Sequence, residues 1–115
     1  MGTAADTKAY SLKVDCWSLG VILYVMVSGT PPFSEDRNCG VSLKEQILTA
    51  NYVFYPQLFD QISENAKDLI RKCLKINPQE RISAEEIMNH PWLKVKYFKT
   101  LVLKTFERIY DLIPG

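Results

Sequence analysis

The sequence predicts an all-α fold, and three patterns carry that reading. The stretch from Asp15 to Val27 is apolar on nearly every face. Ala66, Leu69, Ile70, Cys73 and Leu74 fall at the i, i+3, i+4, i+7, i+8 positions of one helix face. Ser83, with Glu86 three residues later, forms a capping box. No segment alternates with the period of a strand, and no internal repeat is present.

Taken in order, residues 1–12 are small and polar without periodicity, which predicts a loop or a severed end. Asp15 is placed to cap a helix that runs through Val27 and stops at Ser28-Gly29. A helix apolar all round is expected to be buried all round. Thr30-Pro31-Pro32-Phe33 cannot continue it, because proline lacks the backbone donor and restricts the residue before it, so a rigid corner follows. The polar stretch 34–41 reads as a loop. A short helix is expected from Ser42, with Leu43, Ile47 and Leu48 at helical spacing, and 51–59 reads as aromatic and irregular. Ser63 is the N-cap candidate of the helix bearing the 66–74 stripe, which Asn77-Pro78 stops. The capping-box helix ends near His90-Pro91. Phe98, Leu101, Val102, Phe106, Ile109 and Ile113 then define an amphipathic helix over 97–113 with Lys99, Lys104 and Arg108 largely off its apolar side.

Composition narrows the function classes. With 115 residues, 47% hydrophobic and 23% charged, the chain suits one globular unit or a piece of one. A formal net charge of +1 offers no basic field, so no nucleic-acid partner is expected. The longest apolar run, Val21 to Val27, falls far short of a membrane span, and Asp6 stands where a myristoylation signal needs Ser or Thr. Cys16, Cys39 and Cys73 are odd in number with no CxxC pair, which argues against a disulfide framework or a zinc site. No membrane partner and an intracellular location, nuclear or cytoplasmic, are the expectations.

Four ordered blocks carry a resemblance. They are Asp15-Cys16-Trp17-Ser18-Leu19-Gly20-Val21-Ile22-Leu23-Tyr24 with Met26, Gly29 and Pro31-Pro32-Phe33; Ser63-x-x-Ala66-Lys67-Asp68-Leu69-Ile70; Asn77-Pro78-x-x-Arg81; and His90-Pro91-Trp92-Leu93. Together, over roughly Tyr10 to Leu93, they resemble the second half of a serine/threonine protein kinase C-lobe. Within that family the chain is most similar to the calcium/calmodulin-dependent group. The Pro-Pro-Phe-Ser-Glu loop, Ser42-Leu43-Lys44-Glu45-Gln46-Ile47 and Tyr52-x-Phe54 look closest to checkpoint effector kinases with a forkhead-associated domain. Met88-Asn89-His90-Pro91-Trp92 makes MAP-kinase-activated kinases the near competitor. The implied division is a partial C-lobe over 1–93 and an amphipathic extension over 94–115.

The resemblance assigns roles. Asp15 corresponds to the carboxylate that accepts backbone amides of the catalytic loop, an arrangement a helix-associated anion can sustain. Ile22 and Met26, one turn apart, correspond to the support of the apolar stack beneath adenine. Arg81 corresponds to the arginine that pairs with the glutamate closing the activation segment, a residue this chain lacks. Arg81 is therefore expected to cost stability or to swing into solvent. Val25 stands where several relatives that read basic substrates carry Glu, so that mode of recognition is not expected. His90 has no nucleophile motif around it and reads as structural, and Trp17 and Trp92 read as core. For 94–115 the readings are calmodulin binding, autoinhibition of the substrate groove, or packing on the lobe.

Phosphoryl transfer requires a Gly-rich loop, a strand lysine with its helix glutamate, a catalytic-loop Asp and Asn, and a metal-binding Asp-Phe-Gly. None stands in this sequence. No catalytic residue, metal ligand or cofactor is therefore expected within it, Mg-ATP belonging to the inferred full-length kinase. The expected partners are the rest of the kinase domain and protein substrates. The alternatives are a free-standing interaction module and a pseudokinase fragment. The apolar central helix argues against the first, because its uncovered faces would drive self-association.

Overall fold

A computed structural model describes residues 4–94 and Lys104. The helix α1 spans Ala4–Ser28, followed by α2 at Leu43–Leu48, α3 at Pro56–Phe59, α4 at Glu64–Cys73, α5 at Ala84–Met88 and a 3₁₀ turn at Pro91–Lys94. No described residue is in a strand. The amphipathic helix read over 97–113 lies outside the described residues, apart from Lys104, which is helical and exposed.

Two boundaries differ from the expectation. The loop read over 1–12 is helical from Ala4, so Asp15 lies inside α1 rather than capping it. The physical reason is permissive composition: from Ala4 to Leu12 no Gly or Pro interrupts propagation backward from the apolar run. The irregular 51–59 segment contains α3, whose first helical position is Pro56, where a missing N–H costs nothing.

The other ends follow the sequence. α1 stops at Gly29, which takes φ +80 and donates its N–H to the Val25 carbonyl at 2.7 Å. Ser42 and Ser63 cap α2 and α4 by accepting the backbone N–H of Glu45 and Ala66, each at 3.2 Å. Ser83 accepts the Glu86 N–H at 3.1 Å and returns its own N–H to Glu86 Oε1 at 3.2 Å, closing the capping box.

The core forms where α4 lies on α1. Cys16, Leu19, Leu23 and Tyr24 meet the predicted stripe Ala66, Leu69, Ile70, Cys73 and Leu74, all fully or almost fully buried, with Phe59, Ile82, Ile87 and Leu93 closing the edges. Gly20 sets the spacing: a Cβ there would stand 2.6 Å from Cys73 Cβ and 3.0 Å from Leu74 Cδ2. Trp17 and Trp92 pack against this core, as expected.

The expectation that α1 is buried all round is corrected. α3, α4 and α5 pack on it, yet Ile22 is left 42%, Met26 48% and Val25 39% exposed. No helix among the described residues is long and apolar enough to cross a membrane.

Candidate functional site

The open face of α1 is the first feature. Asp15, Ile22 and Met26 are separated by seven and four residues, close to two turns and one turn, so they follow one line along the helix. The Asp15 side chain is buried at 9% exposure, yet its Oδ2 has no hydrogen-bond partner among the described residues. Burial pushes its carboxyl above the ordinary value. A carboxylate oxygen without donors, beside two half-exposed apolar side chains, is a surface suited to backbone N–H groups and apolar side chains of another segment.

Arg81 is the second. It is buried at 7% exposure and surrounded by main-chain acceptors. Its Nε and Nη2 donate to the Lys75 carbonyl at 3.0 and 2.8 Å, Nη2 reaches the Ile76 carbonyl at 3.2 Å, and Nη1 donates to the Lys13 carbonyl at 2.7 Å. Lys13 Nζ returns a hydrogen bond to the Arg81 carbonyl. The guanidinium also lies over the Trp17 ring, 5.2 Å from its centre. The expected swing into solvent therefore does not occur: peptide carbonyls of α1 and of the 75–76 segment hold the guanidinium inside the fold. A polar cleft of 420 Å³ opens beside it, lined by Lys13, Lys72, Glu80, Arg81, Glu86 and His90 among others.

His90 is held from two sides, as a structural histidine should be. Its Nδ1 accepts the Trp92 N–H at 3.1 Å, which leaves Nε2–H to donate to Asp68 Oδ2 at 2.8 Å. Asp68 also pairs with Lys72 at 2.9 Å. The His90 hydrogen bond, then the one from Lys72, hold the Asp68 carboxyl below its usual value.

One arrangement escaped the sequence. Gln46 is fully buried; its Oε1 accepts the Ser34 N–H at 3.0 Å and Arg37 Nη1 at 3.2 Å, while Nε2 donates to the Ser34 and Val41 carbonyls, both at 2.9 Å. Arg37 Nη1 also donates to the Asn51 carbonyl, and Nε reaches the Tyr55 hydroxyl at 3.2 Å. These bonds lock the 34–41 loop onto α2. A lone Gln on a short helix gives no periodic signal, so nothing in the pattern marks it.

The described residues thus form a helical unit organised on one long apolar helix, with an open carboxylate and apolar line on that helix and a buried arginine tied to it at Lys13. The chain belongs to the protein kinase domain family, whose model matches residues 4–93. It is 42% identical over 100 residues to the probable serine/threonine-protein kinase fhkE of Dictyostelium discoideum, covering 87% of this chain and 14% of that protein. It is 52% identical over 85 residues to the DNA damage response protein kinase DUN1 of Saccharomyces cerevisiae, covering 74% and 16%. It is 42% identical over 112 residues to the mouse MAP kinase-activated protein kinase 5, covering 95% and 24%. The chain thus spans from 14% to 24% of the length of these relatives.

Proposed function

We propose that this chain is the scaffold and substrate-docking part of a serine/threonine protein kinase whose whole polypeptide transfers the ATP γ-phosphoryl group to Ser or Thr of protein substrates. The observation that carries this reading is the α1 face, where the donor-less Asp15 Oδ2 and the half-exposed Ile22 and Met26 await a covering segment. In that reading Asp15 receives backbone N–H groups of the catalytic loop, Ile22 and Met26 support the stack under adenine, and Arg81 anchors the end of the activation segment. Mg-ATP is held by residues upstream of this sequence. Similarity to a DNA damage response kinase and to a MAP kinase-activated kinase supports a place in stress or DNA-damage signalling.

The chain alone is inactive in this account, since none of the phosphate-binding or catalytic motifs stands in it. Assaying transfer from ATP to a Ser/Thr peptide, by this chain and by a polypeptide extended upstream, tests it. The expected result is transfer by the extended form only, and transfer by the chain alone defeats the proposal.

The second reading is a free-standing interaction module, and the exposed apolar positions on α1 weigh against it because they invite self-association. Light scattering separates the two: a stable monomer favours an independent module, and concentration-dependent association fits an uncovered lobe. For 94–115, titration of the corresponding peptide with calcium-loaded calmodulin tests the calmodulin role, and no binding at micromolar concentration ends it.

A further inference from the structure

Thr30-Pro31 is the sole Ser/Thr-Pro dipeptide in the sequence, and it falls where the fold presents it. Gly29, Thr30 and Pro31 are consecutive exposed residues outside regular structure, between the end of α1 and the buried Pro32. Among the described residues the Thr30 hydroxyl is held by one long hydrogen bond, donated to Ser28 Oγ at 3.4 Å, because the Ser28 proton is engaged at the Tyr24 carbonyl 2.6 Å away. We propose that Thr30 is a phosphoacceptor for a proline-directed protein kinase, and that its phosphorylation loosens the corner joining α1 to the 34–41 loop.

The reaction is an ordinary displacement. Thr30 Oγ1 attacks the γ-phosphorus of ATP bound to the modifying kinase, the bond to the β-phosphate oxygen breaks, ADP leaves, and the hydroxyl proton passes to that kinase's carboxylate base. The consequence follows from position. Thr30 lies two residues beyond the last residue of α1, at the negative end of the helix dipole, and the last turn holds no basic residue. A group bearing about −1.5 to −2 charge there faces carbonyl oxygens without a compensating cation in that turn. The corner holds Phe33, which stacks on Trp17 with centroids 5.8 Å apart and planes at 4°, so the strain reaches a fluorescent reporter. This inference is independent of the activity proposed for the parent kinase.

The test is incubation of the full chain with a purified proline-directed Ser/Thr kinase and Mg-ATP, followed by mass spectrometry, Trp fluorescence and thermal melting. The expected result is one phosphate on Thr30, none on Thr30→Ala, and a Tm lower by about 2–5 °C in the phosphorylated chain. Labelling of Thr30→Ala to the same extent, or labelling confined to the core-destabilised variant Leu69→Ala, overturns the site. Phosphorylation of Thr30 with unchanged Tm overturns the coupling to the corner.

Discussion

The Arg81 guanidinium lies 5.2 Å from the centre of the Trp17 ring while Nη1 of the same residue holds the Lys13 carbonyl at 2.7 Å, so one side chain grips α1 through both an aromatic face and its backbone. The same side chain also donates to carbonyls of Lys75 and Ile76, in the segment after α4. Arg81 is thus the tie between the long helix and the loop that leads to α5. Lysine cannot reproduce this fork. Arg81→Lys should lower stability by about 1–3 kcal/mol, read as a lower urea midpoint, because it removes several hydrogen bonds of a buried guanidinium to partly buried carbonyls at once.

Gly20 tests the contact between α1 and α4. The atom nearest an added methyl is Cys73 Cβ at 2.6 Å, fixed to the backbone of α4 and unable to rotate away. Gly20→Ala should therefore separate the helices and cost about 1–3 kcal/mol despite alanine's better helix propensity. Equal or higher stability in urea unfolding would show that the two helices are not this closely apposed.

Asp15 should behave in opposite ways in the part and in the whole. Its folded-state pKa is raised by burial, so the ionised form destabilises the chain at neutral pH, and that cost disappears as pH falls through the raised value. In this chain Asp15→Asn should raise stability by about 1 kcal/mol at neutral pH and remove the gain toward acid. In the extended kinase the same change should lower transfer by about 10²-fold, through misplacement of the loop it holds.

Asp68 carries the reverse sign. With its folded-state pKa depressed by His90 and Lys72, its contribution is present above the ordinary carboxylate value and is lost as pH falls through the lower folded value. Its side chain is 40% exposed, so solvent screening keeps the effect small. Comparing acid unfolding of the wild type with Asp68→Asn should show a shallower loss of stability in the variant.

How far the sequence disclosed this molecule depends on the kind of signal each feature leaves. The α4 stripe from Ala66 to Leu74, the helix start at Ser42, the serine caps at 63 and 83, and the stop at Gly29 were legible because each is a local pattern with a local cause. The backward extension of α1 was not, because its residues from Ala4 permit a helix without demanding one. The incomplete burial of α1 was hidden for a different reason: an apolar helix reports that it needs cover, and says nothing of whether the cover lies in the same stretch of chain. Arg81 was singled out by resemblance, but its carbonyl partners at 13, 75 and 76 come together only through the fold. The Gln46–Arg37 lock and the Asp68–His90 pair likewise join residues that no spacing rule connects.

The central claim is that the open face of α1 is a seat for the upstream part of the kinase, and oxidative footprinting of Met26 tests it most directly. In this chain Met26 is 48% exposed and should be oxidised readily by peroxide, with the partly buried Met88 as an internal reference in the same digest. In the polypeptide extended upstream, Met26 should become strongly protected relative to Met88. Oxidation of Met26 at the same relative rate in both would contradict the account.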